Sequence, residues 1–135
     1  MRVIRGRPDG SRSAPWTEHL TGVAWMDHLL QEAPDGTNAT HGTVAVTSVT
    51  FTPGSRTHWH RHSAGQLLIV VSGEGWVGDR EGGRQVVRVG DVVWTAPGED
   101  HWHGATNETL LTHVALTLGT TDWYDDPVDI PGAES

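Results

Sequence analysis

The sequence predicts an all-β fold, a small β-barrel or jelly roll. Short β-branched and apolar runs recur at roughly eight- to twelve-residue spacing, the rhythm of antiparallel strands joined by tight turns. The 17 Gly and 7 Pro are spread along the chain and fall between those runs, where turn geometry needs them. With 135 residues, the chain makes one domain with a real core.

Taken in order, residues 1–20 form an N-terminal arm, polar and Arg-rich as far as Pro15, that can fray or lie as an edge strand. Residues 21–119 form the barrel. Thr21 to Met26 is a short strand, and Asp27 to Ala33 is an ambiguous run that could form a single helical turn. Pro34-Asp35-Gly36-Thr37-Asn38 is a loop. Gly42 to Phe51 is a strand with Thr47, Val49 and Phe51 on one face. Pro53-Gly54 turns the chain into a histidine-rich strand, and Leu67 to Val71 is a buried strand. Ser72-Gly73-Glu74-Gly75 is read as a turn, Trp76 to Gly78 as a strand, and Asp79 to Gly83 as a hairpin tip. Val86 to Val89 returns, Gly90-Asp91 turns, and Val92 to Trp94 is a buried strand. Pro97 to Asp100 turns into His101, and Leu110 to Leu118 is the last long strand, with His113, Ala115 and Thr117 on one face. Residues 120–135 form an acidic tail, with Trp123 and Tyr124 as its anchors.

Composition narrows the chemistry. The net charge of -8 argues against nucleic acid or an anionic membrane as partner. No apolar run reaches a membrane span and no signal-peptide core stands out, so the expected compartment is the cytoplasm. The chain has no Cys, which removes thiolate nucleophiles, disulfides and Cys-ligated zinc. All nine basic residues are Arg, so no lysine Schiff base can form. No Gly-x-Ser-x-Gly elbow or phosphate loop is present. The chemistry falls to His, Asp, Glu and any bound metal.

The densest stretch runs from Gly54 to Gly73. His60 and His62 alternate onto one strand face, where two imidazoles can grip one ion. A turn at Ser63-Ala64-Gly65 would bring Gln66 beside them, and His101-Trp102-His103 could close the cage. The spacing Gly54-x5-His60-x-His62-x3-Gln66-x6-Gly73 matches the first cupin motif at every interval, with Gln where Glu is usual. The second motif is looser: Gly90, Gly98 and His101 fit, while Ala96 and Ala105 replace its proline and asparagine. From Thr47 to Thr117 the chain resembles the small bacterial cupins that include the manganese-dependent hydroxynitrile lyases. Carrying that likeness are Gln66, Gly-Asp-Val-Val-Trp from Gly90, His-Trp-His-Gly from His101, and Thr112-His113.

The resemblance implies a double-stranded β-helix, the cupin form of the jelly roll. It implies one divalent metal held by His60, His62, Gln66 and His101, Mn2+ first, with Fe2+, Ni2+, Co2+ and Zn2+ open. Because Gln66 is neutral where Glu would carry a charge, the ion keeps its full double charge, which favours Lewis-acid over redox chemistry. His103 and His113 match histidines of those lyases and are candidates for proton transfer, or for orienting a ligand. His58 shares the parity of His60 and His62 and is either a third catalytic histidine or a water-exposed residue at the barrel mouth. Thr47 and Thr117 are candidates to touch substrate, Thr47 otherwise reflecting β propensity alone. Val49, Phe51, Leu68, Val70 and Trp94 are candidates for an apolar pocket wall, though core packing explains them equally. Trp59 and Trp102 have the opposite parity to the ligands and point outside the barrel; Arg56 and Arg61 read as solvated.

The function expected is therefore a metal-dependent lyase on a small organic substrate, of the hydroxynitrile lyase kind. The alternatives are a metal-dependent dioxygenase, an isomerase or cyclase of an aromatic or polyketide metabolite, and a non-enzymatic sensor barrel. The resemblance also implies a homodimer, paired through sheet edges, with the N-terminal arm as the exchanging element.

Overall fold

The computed structural model describes residues 1–7, 10–33 and 43–130. Twelve strands and no helix occur among them: β1 (Ala14–Trp16), β2 (Leu20–Thr21), β3 (Ala24–Glu32), β4 (Val44–Phe51), β5 (Arg56–Thr57), β6 (His60–His62), β7 (Gln66–Asp79), β8 (Arg84–Arg88), β9 (Val92–Thr95), β10 (His101–Ala105), β11 (Leu111–Leu118) and β12 (Thr121–Trp123). The expected loop at Pro34–Asn38 lies outside the described residues. No helix among the described residues is long and apolar enough to cross a membrane.

Every pairing is antiparallel. One sheet runs β1-β3-β4-β11-β7, with β9 on the far side of β7. The other holds β10, β5, β2, β6, β12 and β8, again attached through β7. The two sheets fold into a nearly closed barrel, all-β as the sequence predicts. Phe51, Leu111, Val49, Val70 and Ala24 fill its centre. A second cluster lies outside, where Val128 and Ile130 of the C-terminal segment cover Trp102, flanked by Trp59 and Trp76. The outward parity of Trp59 and Trp102 is thus satisfied by the chain's own tail. Arg56, expected to be solvated, is half-buried and donates from Nε to the Val128 carbonyl at 3.0 Å.

Three local expectations are corrected. Asp27 to Ala33 is no helical turn: β3 continues to Glu32, with a bulge between His28 and Leu30, because its backbone pairs along β4. Tertiary pairing overrides a local sequence that suits either state. Ser72 to Gly75 is no turn between strands but the middle of the 14-residue β7. Gly73 sits there at φ +75°, and a Cβ would come within 1.7 Å of the Leu110 carbonyl oxygen. Only glycine permits that bend, after which β7 exchanges β11 and β9 for β10 and β8 as partners. Finally, β9 is buried on one side only: Val92 is 58% and Trp94 55% exposed, while Thr95 is buried.

Candidate metal centre

Local geometry explains how the histidines meet. The histidine segment is not one continuous strand. It breaks at His58 and Trp59 between β5 and β6, so His58 does not share the parity of His60 and His62. In β6, His60 and His62 point inward and Arg61 outward, where it pairs with Asp122 at 3.1 Å. The turn to β7 is set by Gly65 at φ +98°, and Gln66 follows at once. His101 of β10 lies opposite His60 in the antiparallel register. His103 follows on the same inward side, and His113 projects from β11.

The rings converge. Centroids of His60 and His101 are 4.2 Å apart, His60 and His62 5.0 Å, His62 and His101 5.1 Å, and His60 and His103 5.2 Å. Gln66 Oε1 is 3.1 Å from His101 Nε2, so the four expected ligands do come together. The tightest three-histidine group is a different one. Ring nitrogens of His60, His101 and His103 all lie within 4.8 Å of one another and could hold a metal ion. His103, expected to transfer a proton or to orient a ligand, thus stands among the candidate ligands, and His62 lies just beyond that group.

Hydrogen bonds on the outer ring nitrogens distinguish these residues. His60 Nδ1 lies 2.9 Å from the His58 carbonyl, His62 Nδ1 2.8 Å from the Thr121 hydroxyl, and His101 Nδ1 3.2 Å from the Glu99 carbonyl. A proton on Nδ1 turns the Nε2 lone pair inward; the carbonyl holds His60 in that form, the Thr121 hydroxyl can accept from His62 in it, and His101 has an acceptor oxygen at each ring nitrogen, Glu99 O and Gln66 Oε1. The Gln66 amide donates to Thr117 Oγ1 at 2.8 Å, which aims its carbonyl oxygen at the cluster. His103 differs, since its Nδ1 faces another imidazole, His113 Nε2, at 3.0 Å. His62 Nε2 and His103 Nε2 are buried without a hydrogen-bond partner. Unpaired inward nitrogens beside a neutral amide oxygen suit a divalent transition ion.

Burial keeps these imidazoles neutral. It lowers His62 to about 3 and His113 to about 4, and pushes His60 and His103 well below the usual histidine value. For His60, His62 and His103, repulsion from neighbouring imidazoles adds to the burial effect. His101 is lowered by burial, with its carbonyl and carboxylate neighbours opposing. Neutral imidazole is the form that ligates metal.

A cavity of about 520 Å³ opens onto the cluster. Thr47, Val49 and Thr117 line it, as do His60, His62, Gln66, His103 and His113. Other expected wall residues lie elsewhere. Phe51 is packed behind the cavity, its ring 5.8 Å from His103 and 5.6 Å from His113. Leu68 and Val70 are buried in the barrel wall without facing the cavity. Trp94 sits on the outer surface, because β9 places its even-numbered side chains outward. His58 is half-buried in the strand break and does not line the cavity.

Several wall residues had no local signal. Trp16, Met26, His28, Thr121 and Trp123 all face the cavity. Trp123 packs its ring 4.3 Å from that of His60 and 5.5 Å from that of Trp16. Only strand pairing between segments remote in sequence brings them there. Among the described residues, no Arg, Asp or Glu side chain lines the cavity.

The cupin domain family matches residues 47–116. The (R)-mandelonitrile lyase of Granulicella tundricola is 44% identical over 134 residues, covering 96% of this chain and 95% of that protein. A cupin-like protein from Thermotoga maritima superposes with a TM-score of 0.71 at 31% identity, over 87% of this chain and 88% of that one. An acetylacetone dioxygenase from Acinetobacter johnsonii superposes with a TM-score of 0.72 over 93% of this chain and 80% of that one, but at 16% identity this is a likeness of fold alone. A barrel closed by antiparallel strands, inward histidines on three of them, and a family match over more than half the length lead to one conclusion: the chain belongs to the cupin family.

Proposed function

We propose that the chain is a lyase that cleaves or forms the carbon–carbon bond of a small, uncharged hydroxynitrile of the mandelonitrile type. It would hold one divalent ion, Mn2+ by family resemblance, on His60, His62, Gln66 and His101. These four are preferred over the tighter His60–His101–His103 group because each has its other polar atom fixed by an oxygen partner, whereas His103 does not. The observation that carries the reading is the cavity: large enough for a monoaromatic substrate, free of formal charge on its described walls, and floored by imidazoles. A carboxylate or phosphate substrate would find no guanidinium there. The 44% identity with a protein named (R)-mandelonitrile lyase supports the same substrate class.

When bound, the ion supplies a Lewis acid for a substrate oxygen. The chain supplies the proton handling. His103 Nε2 takes the hydroxyl proton of the hydroxynitrile. As the carbon–oxygen bond becomes a carbonyl, the carbon–carbon bond breaks and its electron pair leaves with the nitrile carbon. The same proton then returns from His103 to that carbon, giving hydrogen cyanide and an aldehyde. His113 assists through the 3.0 Å contact between its Nε2 and His103 Nδ1: as His103 becomes cationic, its Nδ1–H is shared with His113, spreading the charge.

The test is elemental analysis of protein purified without added metal, paired with mandelonitrile cleavage by the native chain and by His60→Ala. The expected result is about one divalent ion per chain, lost together with cleavage in the variant. Turnover that requires iron and consumes O2 would instead establish an oxygenase. Ligand binding without turnover across a panel of hydroxynitriles would establish a sensor barrel.

A second copy of the chain is the proposed partner. The outer face of the first sheet carries Trp94, Leu67, Leu116, Val46 and Leu30 in one cross-strand row, and Val92, Ile69 and Val114 in the next. Its one charged member along these rows, Asp27, is already paired with Arg7 at 2.7 Å. An antiparallel sheet normally leaves one face polar toward water; along these two rows only Ser48 and Asp27 are polar. Two copies of a chain with net charge -8 can meet on these rows, whose one carboxylate is already paired with Arg7, without bringing unpaired acidic groups together.

A further inference from the structure

We infer that β12, a three-residue strand beyond the segment matched by the cupin family, sets the metal affinity of the site, and that Thr121 is the positioning residue through which it acts. This rests on the metal-binding reading above and extends it to residues no comparison assigns.

The strand register carries the inference. Thr121 lies opposite His62, Asp122 opposite Arg61, and Trp123 opposite His60. The sequence Thr-Asp-Trp therefore runs antiparallel to His-Arg-His, and each β12 side chain meets its counterpart. On the outside, Asp122 pairs with Arg61 at 3.1 Å. On the inside, Thr121 Oγ1 lies 2.8 Å from His62 Nδ1, placed to accept its proton, and the Trp123 ring lies 4.3 Å from His60 at an interplanar angle of 30°. Both inner residues also line the cavity. Trp123 is held from its other side by His19, stacked at 4.9 Å, and by Trp16 at 5.5 Å.

The consequence for His62 is specific. Its Nε2 is buried without a partner, and it can present a lone pair there only if the proton stays on Nδ1. The carbonyls that hold His60 and His101 are backbone atoms, His58 O and Glu99 O, and no substitution removes them. For His62 that role falls to a side chain. Thr121 is thus the single point at which a mutation can release one ligand histidine without touching a ligand. Outer hydrogen-bond partners of metal-bound histidines typically contribute 10- to 100-fold in affinity.

The experiment titrates metal-stripped full-length protein with MnCl2, and separately with ZnCl2, by calorimetry. Thr121→Val keeps the shape of the side chain and removes the acceptor; it is expected to weaken binding by about 10-fold or more. Thr121→Ser restores the hydroxyl and is expected to bind within about 3-fold of the native chain, since a serine hydroxyl accepts the same bond. Asp122→Asn, on the exposed side of β12, is expected to leave affinity unchanged. Equal affinities for Thr121→Val and the native chain overturn the assignment while leaving the metal site intact. An equal loss in Asp122→Asn and Thr121→Val also overturns it, since β12 would then act only as a clamp on the backbone. A native chain that takes up neither ion overturns the metal reading, and this assignment with it.

Discussion

His103 and His113 share one hydrogen between two facing nitrogens, and both rings are fully buried. If the hydrogen belongs to His103, its Nε2 is a bare lone pair aimed at the cluster. If it belongs to His113, His103 Nε2 carries a proton and can no longer act as base or ligand. The pair therefore has two coupled tautomers, and the one needed for proton uptake depends on His113. His113→Leu is expected to leave bound metal at about the native level while lowering kcat by roughly 10²-fold, the lower range for losing acid–base assistance. Metal content and steady-state kinetics on the same preparation check this, and loss of metal along with rate would show His113 to be structural. At this scale the sequence was legible where a role depends on near neighbours. His60, His62 and Gln66 reveal themselves because two-residue alternation and one turn bring them together. Thr121 stayed hidden because its partner, His62, is 59 residues away, and a lone threonine announces nothing. Trp94 was misjudged because nothing local says which face of an apolar strand is inward.

Among the elements, β10 is the most constrained. It carries His101 and His103, and all five of its residues are buried. Gly104, next to His103, has no room for a side chain: a Cβ would lie 2.4 Å from Arg56 Cβ and 2.5 Å from the Ser55 carbonyl oxygen. The latter is backbone and cannot rotate away. Gly104→Ala is expected to force β10 and β5 apart and to cost about 1–3 kcal/mol, the usual penalty of overpacking. Chemical denaturation would show it as a lowered midpoint, and an unchanged midpoint would mean the barrel yields there at no cost. The elements most clearly visible beforehand, β4 and β11, are long and rich in β-branched residues, and β11 alternates in burial over its first half. β3 was half misread because Leu29-Leu30 suits a helical turn as well as a strand, and only β4 decides between them. The continuity of β7 through Gly73-Glu74-Gly75 was hidden for the opposite reason: glycines that ordinarily end a strand here bend one.

For the whole molecule, buried neutral histidines tie stability to acidity. His113 is held at about 4 by burial against a usual value of 6.5, so the unfolded chain binds its proton below pH 6.5 while the folded chain does not. Stability therefore falls as pH drops from about 6.5 toward 4, and the loss levels off below that window. His113 alone should cost about 2 kcal/mol at pH 5 relative to pH 7.5, and His62, at about 3, adds in the same direction. Urea unfolding of the metal-stripped protein at the two pH values checks this; equal stability would mean the rings are charged in the fold. The apolar outer sheet face makes its own prediction. Sedimentation should find a dimer in the native chain, and Ile69→Lys combined with Trp94→Glu should give a monomer that still binds metal. A native monomer would leave that face uncovered and refute the pairing.

One ribbon, β7, belongs to both sheets: residues 66–73 pair in one, and residues 74–79 in the other. Neither half of the barrel can peel away while that ribbon stays intact, so melting should be a single cooperative event. Tryptophan emission and far-ultraviolet dichroism should trace one superimposable curve, and the clustered histidines should lose their alignment at the same temperature as the strands.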